Sequence, residues 1–296
     1  MASAKDLRKR IGSVKNTQQI TRAMKMVSAA KLRRAQDAIV SLRPYANEIS
    51  NVVNALARNA SDSLGAGERL NSPLLVIDET PATKVLIVVV SSDRGLCGAF
   101  NANVIKAAQR FLRSQSHKYQ VVDFAFIGRK AYEFFKNKKT GRHYSGLLQG
   151  MTFAKAQQFS DELIERYLQG EYDEIKFIYN EFRSAISQKV TVEAFLPLRP
   201  LADAAPSAES KLTLYEPSPQ EILERILPKH FATQVLRILF DSIASEHGAR
   251  MSSMENATKN AGEMIRKLTL QYNKTRQAGI TKELLEIVSG SEAQNN

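Results

Sequence analysis

Residues 1–59 read MASAKDLRKRIGSVKNTQQITRAMKMVSAAKLRRAQDAIVSLRPYANEISNVVNALARN, with Gly12 the one glycine and Pro44 the one proline. Alternate steps of four and three from Leu7 reach Ile11, Val14, Gln18, Thr21, Lys25, Ser28, Leu32, Ala35, Ile39, Leu42, Ala46, Ile49, Val53 and Leu56. A 3.5-residue repeat of this kind is the mark of a helix in a left-handed coiled coil. The seam is apolar at both ends and polar from Gln18 to Ser28, and across that gap Ile20, Ala23, Met24 and Val27 carry the apolar character to another face. Pro44 is where a kink or local adjustment is expected.

The last third of the chain has the same period, through Leu236, Phe240, Ile243, His247, Arg250, Met254, Ala257, Ala261, Met264 and Leu268. Its seam also turns polar, at His247 and Arg250. Pro217, Pro219 and Pro228 predict a broken start to this helix, and Gly279 and Gly290 weak points near its end. A helix of about 55–60 residues is roughly 80–90 Å long, whereas a globule of this chain length has a radius of gyration of roughly 19 Å. Neither terminal helix fits inside such a globule. A lone amphipathic helix would leave its seam in water, so the two are expected to pair. With a domain between them, they most simply run antiparallel, their polar segments near each other.

The middle alternates strand and helix. Val85–Ser91 is a continuous apolar run, as in a strand buried on both faces. Asn101–Leu112 reads as helix, Val121–Ile127 as strand, Arg129–Phe135 and Phe153–Leu168 as helices. Ile175–Phe182 and Lys189–Leu196 read as a hairpin around Arg183–Gln188. The pattern implies an α/β domain with a mainly parallel sheet and that hairpin at one edge. Ser61–Ser72 and Arg199–Ser210, rich in Ser, Ala, Pro and Gly, read as linkers. The expected segments are therefore 1–60, an N-terminal coiled-coil helix; 73–198, the α/β domain; and 214–290, a C-terminal coiled-coil helix.

The chain has 296 residues, 43% of them hydrophobic, and a formal net charge of +12. The basic excess lies mainly in the first helix, on Lys5, Arg8, Lys9, Arg10, Lys15, Arg22, Lys25, Lys31, Arg33 and Arg34. These charges could be solvated coiled-coil flanks, a nucleic-acid surface or a surface for acidic protein loops. Tyr45 is the only aromatic residue before residue 100, which weighs against interleaved base stacking. The polar stretch Gln18–Ser28 favours protein docking, as a polar belt at a defined height. The single cysteine, Cys97, allows no intramolecular disulfide and no thiolate zinc set. His117, His143, His230 and His247 fall at no metal-ligand spacing. No apolar run approaches the roughly 20 residues that span a bilayer, and the basic N-terminus lacks the apolar core of a signal peptide. The expectation is a soluble, intracellular protein.

The loop Ser91-Ser92-Asp93-Arg94-Gly95-Leu96-Cys97-Gly98 follows a buried strand and leads into a helix, where doubly wound folds bind phosphate. Neither Gly-x-Gly-x-x-Gly nor Gly-x4-Gly-Lys-Ser/Thr occurs, so the glycines more simply serve a tight turn, with Asp93 and Arg94 forming a local pair or a partner contact. Met24, Met26, Met251, Met254 and Met264, at helical spacing, read as coiled-coil packing. Ile280-Thr281-Lys282-Glu283-Leu284-Leu285-Glu286-Ile287-Val288 is either a final core helix or a tip that protrudes beyond its partner helix into an apolar sleeve.

Three blocks together resemble the gamma family of F-type ATP synthases: Ile11–Val27 extending through Arg43-Pro44-Tyr45; Ser92–Gly98 with Asn101; and Tyr272–Glu283 through Gly290. They keep the family's order and span nearly the whole chain. Gly290-Ser291 departs from the family's usual Gly-Ala, and the paired-cysteine insert of chloroplast forms is missing. The resemblance implies an antiparallel left-handed coiled coil with a Rossmann-like α/β domain at its foot, acting as a rotor shaft without an active site. It implies no cofactor, no metal and no nucleic acid. The implied partners are the alpha and beta subunits of the hexamer, the epsilon subunit and the membrane c-ring, with delta reached only indirectly. By the same resemblance Met24, Arg250, Arg276, Gln277, Thr281 and Glu283 match contacts to beta, Arg250 lying beside Met24. Asp93, Arg94, Gly95, Cys97 and Gly98 form the signature loop, and Ile280, Leu284, Leu285, Ile287 and Val288 the apolar tip. The implied location is peripheral, on the cytoplasmic face of the bacterial inner membrane.

Overall fold

The computed structural model describes residues 3–62, 72–75, 82–115, 117–137, 141–198 and 218–294. Helix α1 spans Ala4–Asp62 and helix α5 Pro219–Gln294. Between them lie β1 (Lys84–Val90), α2 (Phe100–Gln115), β2 (Val121–Ile127), α3 (Arg129–Phe135), β3 (Gly141–Tyr144), α4 (Phe153–Leu168), β4 (Glu174–Phe182) and β5 (Gln188–Leu196). The linker expected at Arg199–Ser210 lies outside the described residues, as do residues 63–71 of the other linker and positions 214–217 of the C-terminal segment. Two compact units divide the chain: Met1–Ala29 with Arg250–Asn296, and Ala30–Ala249.

The larger unit is built on a five-stranded sheet in the order β3-β2-β1-β4-β5. The first four strands are parallel and β5 pairs antiparallel with β4 at the edge. β1 is central, and its alternate residues serve two cores. Leu86, Val88 and Val90 pack with α4, α5 and the α1 residues Val53 and Leu56. Val85, Ile87 and Val89 pack with Val104 and Ala108 of α2 and Ala131 and Phe135 of α3. Burial on both faces explains why this strand has no polar alternation. On the first face an edge-to-face run links Phe159, Phe177, Phe195 and Phe231, at centroid separations of 6.5, 5.1 and 5.1 Å. It ties α4 through β4 and β5 to α5, in the offset geometry aromatic quadrupoles favour.

The sequence reading has no counterpart to β3. Its four residues, Gly-Arg-His-Tyr, are half-buried except for the exposed Arg142 and lack an apolar period, so no pattern announces them. Gly141 lets the edge strand pair closely with β2: an added Cβ would stand 2.5 Å from the Phe124 carbonyl oxygen.

The expected broken start of the C-terminal helix does not occur among the described residues. α5 runs through Pro228, and through Gly279 and Gly290 to Gln294. Proline removes one helical hydrogen bond, but Leu223, Leu227 and Phe231, on the same turns, are 0–1% exposed and hold the helix on the sheet. Between Phe231 and Gly248 this helix is buried on several sides, since both the sheet and α1 pack against it. A narrow two-helix seam therefore does not describe it there. At its tip the β4–β5 hairpin reaches Gly248, where an added Cβ would meet the Ala185 carbonyl oxygen at 3.1 Å.

In the smaller unit α1 and α5 run antiparallel. Lys25 Nζ lies 2.8 Å from Glu255 Oε1, and the Thr21 and Thr258 hydroxyls are 2.8 Å apart. Gln18 Nε2 donates to the Thr258 carbonyl at 3.3 Å. The α1 seam is as its period predicts: Leu7, Thr21, Ser28, Leu32, Ala35, Ile39, Val53 and Leu56 are buried. The α5 seam shifts by one position after Ala261. Met264 is 52% exposed, and the half-buried positions continue through Ile265, Leu268, Tyr272 and Thr275. Two successive steps of four, from Ala257 to Ala261 and on to Ile265, make this shift, after which alternate steps of three and four resume and Met264 falls outside the seam. Met26, 61% exposed, is likewise not seam packing, whereas Met254 is buried.

His230 is 4% exposed and its Nε2 has no hydrogen-bond partner among the described residues. Burial, with Arg237 adding to it, pushes its pKa down from 6.5 to about 4. The folded state thus holds the neutral imidazole where the unfolded chain takes a proton. This stability is present above pH 6.5 and lost as pH falls towards 4. His230→Leu is expected to remove that dependence, worth roughly 3 kcal/mol across the window, as read from urea midpoints at pH 4 to 7.

Candidate functional site

The crossovers run from β1 outward to β3 and then back past β1 to β4. The turn after β1 therefore sits at the topological switch point, where ligands bind in open α/β sheets. Here the chain's own groups occupy several of the donors. The first amides of α3 are taken in sequence: Arg129 N donates to Asp93 Oδ1 at 3.2 Å, Lys130 N to the Ser92 carbonyl at 3.1 Å, and Ala131 N to Ser91 Oγ at 3.0 Å. Gly128 makes this closure possible. Its φ is +87°, and an added Cβ would lie 2.1 Å from the Ser91 carbonyl oxygen.

The rest of the signature loop is knitted by Asn101. Its carboxamide accepts from Ser92 N at 3.0 Å and donates to Ser92 Oγ at 2.8 Å and Cys97 Sγ at 3.2 Å. Cys97 is 2% exposed, so its sulfur serves packing and a weak hydrogen bond and is not presented as a nucleophile. Asp93 thus accepts a backbone amide of α3 through its carboxylate. Gly98 adopts φ +57°. Leu96 has φ 65° and is 62% exposed, a large apolar side chain held outward on a conformation most residues avoid. The loop presents Leu96 as an outward surface group.

The polar stretch of α1 also turns out differently from the expected belt. Thr21 and Ser28 are 8% and 2% exposed and face the seam, where Gln18 and Thr21 bond to α5. The surface at this height instead carries Ile20, Met26 and Val27, each 58–61% exposed. The interruption is an internal hydrogen-bonded layer, because small polar side chains at closely packed positions find partners across the seam more cheaply than in water. Met24, beside this layer, is half-buried, and Arg250 is 7% exposed. The register set by Lys25–Glu255 and Thr21–Thr258 places Arg250 roughly one to two turns from Met24 along the axis, not level with it.

The same register brings the described start of α1 level with about residue 276, at 1.5 Å rise on each helix. Residues 277–294 of α5 run on past it. Arg276, Gln277, Thr281 and Glu283 are exposed, and Thr281 Oγ1 bonds back to the Gln277 carbonyl at 3.0 Å. Ile280, Leu284, Leu285, Ile287 and Val288 are 50–68% exposed. So large an apolar surface on a helix end marks an interaction site. No group of three or more His, Cys, Asp or Glu able to hold a metal is found among the described residues.

Sequence reading also passed over a cluster in the larger unit, where Arg237 meets Tyr179, Glu193 and Asp241. The four-residue spacing of Arg237 and Asp241 was visible, but Glu193 lies in another element.

Antiparallel pairing of the terminal helices, a mainly parallel α/β sheet domain and exposed apolar helix surface define an interaction protein that combines a coiled coil with an α/β domain. The sequence profile of the family described as ATP synthase matches residues 3–294. The ATP synthase gamma chain of Geobacter metallireducens is 48% identical over 294 residues, covering 99% of each chain. That of an Anaeromyxobacter species is 50% identical over 295 residues, again 99% of each. The chain belongs to the ATP synthase gamma chain family. Its fold is also that of a chain in the rotor of the Euglena gracilis mitochondrial ATP synthase, with TM-score 0.62 and 20% identity over 94% of this chain and 98% of that one. A chain in the OSCP/F1/c-ring structure of the same enzyme gives 0.64 and 22%, over 98% and 94%.

Gly128→Ala is expected to destabilise the chain by about 2–4 kcal/mol, because the new methyl meets backbone that cannot swing aside. A urea midpoint shift on the full chain measures it; an unchanged midpoint would show that the closed crevice is not tightly set.

Proposed function

We propose that this chain is the central-stalk rotor of a proton-translocating ATP synthase, a non-catalytic subunit that passes torque between a membrane c-ring and the alpha/beta hexamer. The observation that carries the reading is the free end of α5, which runs past the start of α1 with its apolar face uncovered. An apolar sleeve formed by the hexamer accounts for that exposure. Arg276, Gln277, Thr281 and Glu283, exposed on the same end of α5, contact beta, and Met24 contacts a lower part of beta, while Arg250, 7% exposed, is set back from that surface. The basic excess of α1 meets acidic protein surface. The α/β domain binds epsilon and the c-ring.

The mechanism is positional. A rod whose sides differ presents each beta subunit in turn with a different surface. A partner's conformation shifts only by the difference in contact free energy that each conformer makes. Ile20 and Val27 on one side of α1 and charged side chains on the others provide such a difference. No described helix is long and apolar enough to cross a membrane, and membrane attachment through the c-ring on the cytoplasmic face of the bacterial inner membrane accords with that.

Co-purification of alpha and beta with the tagged chain tests the assignment. Met24→Lys puts a charge beside the Gln18–Ser28 layer, where the wild type has a half-buried thioether. It is expected to lower proton pumping per ATP several-fold in the assembled enzyme while leaving hydrolysis largely intact. Unchanged pumping per ATP would remove Met24 from the coupling surface.

A further inference from the structure

Between α1, the end of β4 and α5 in the larger unit lies a cavity of about 180 Å³ lined by Ile39, Leu42 and Arg43 of α1, Glu181 of β4, and Arg237 and Asp241 of α5. Its charges are unequally served. Arg237 gives its close contacts elsewhere: Nη2 pairs with Glu193 Oε1, and Nη1 donates to the Tyr179 hydroxyl at 3.2 Å. The Tyr179 hydroxyl in turn donates to the other Glu193 oxygen at 2.6 Å. Glu181 is engaged by Arg183 at 3.0 Å and by the Thr191 hydroxyl at 3.3 Å. Asp241 is 8% exposed, and the one ion pair described for it is a 3.7 Å approach to Arg237, too long for a hydrogen bond.

We propose that Asp241 is a proton-operated latch: protonation of its carboxyl, buried in the cavity between α1, β4 and α5, tightens the seating of α1 on the α/β domain. An ionised carboxylate there is desolvated, faces the like charges of Glu181 on β4 and Glu193 on β5, and among the described residues has Arg237, shared with Glu193, and the exposed Arg43 of α1 to offset them. A neutral carboxyl removes that cost without disturbing the Arg237–Glu193–Tyr179 cluster. Burial pushes Asp241 up from 3.8 to about 6; Arg237 and Arg43 oppose this, and Glu181 and Glu193 add to it. With the folded value above the unfolded one, the contribution is full below about pH 3.8 and is lost as pH rises through about 6. A fall from pH 7.5 to 5 therefore favours the seated state.

The test is urea unfolding of the full chain at pH 5 and 7.5, with Asp241→Asn and Glu181→Gln alongside wild type. His230 titrates in the opposite sense over this range, so the readout is the difference between wild type and D241N. The unfolding constant of wild type is expected to fall about tenfold relative to D241N between pH 7.5 and 5. E181Q, which removes a neighbouring negative charge, should show a smaller fall. Hydrogen exchange should localise the effect, with the amides of residues 39–47 gaining protection at pH 5 in wild type but not in D241N, after correction for intrinsic rates. A pH-independent difference would overturn the proposal, and so would a pH-dependent one that leaves the 39–47 amides unmoved. If D241N fails to fold, a carbon-13 titration of the Asp241 carboxyl decides: a midpoint near 6 that falls in E181Q sustains the latch, and a midpoint near 4 ends it.

Discussion

A helical seam repeating every 3.5 residues must be covered, and that requirement organises this molecule. The α1 positions that fall on the repeat are buried or half-buried along its length, from Leu7 to Leu56. In the smaller unit α5 covers them. In the larger unit α5 and the sheet share the task, and the same core holds Val53 and Leu56 of α1, Leu223 and Leu227 of α5, and Phe177 of β4. Hydrophobic burial supplies the driving force in both settings, at roughly 25 cal/mol per Å² of apolar surface. The covering partner differs, and so does the width of the buried stripe. α5 is buried on several sides beside the sheet and on one stripe in the smaller unit.

The α/β domain illustrates how a fold can keep its architecture without the chemistry it often carries. Parallel strands and a switch point make a crevice. Ser91, Ser92 and Asp93 spend the amide donors at its mouth on the protein itself, and Gly128 admits the backbone contact that closes it. Satisfied donors have nothing to offer a phosphate. What the loop does present is Leu96, an outward apolar side chain on a conformation that costs energy to hold. Strain of this sort persists only where surrounding bonds fix it, and Asn101 provides three of them.

Polar groups at the helix contacts follow two regimes. Around Thr21 and Thr258 the groups are small and mutually bonded, so burying them leaves little unsatisfied. Around Asp241 a carboxylate shares a cation that already has a closer partner. The first arrangement fixes the register of the two helices. The second leaves a titratable charge whose state depends on pH near neutrality, because a partly paired buried charge is costly.

Much of the architecture is a local property of the chain and could be read directly from it. Heptad spacing set the lengths and buried faces of the terminal helices, and the unbroken apolar run of β1 marked a strand covered on both sides. Pairing followed from length against globule size, and its antiparallel sense from the domain between the two helices. Tertiary contact decided what period cannot express. It carried α5 through Pro228, admitted the patternless edge strand β3, and moved the seam from Met264 to Ile265. It turned the polar stretch of α1 inward to meet Thr258 and left Ile20 and Val27 outside. The cluster of Arg237, Glu193, Tyr179 and Asp241 lay beyond sequence reasoning altogether. Periodicity records which face of an element is dry, but hydrogen bonds and charge pairs depend on which distant residues share that dry space.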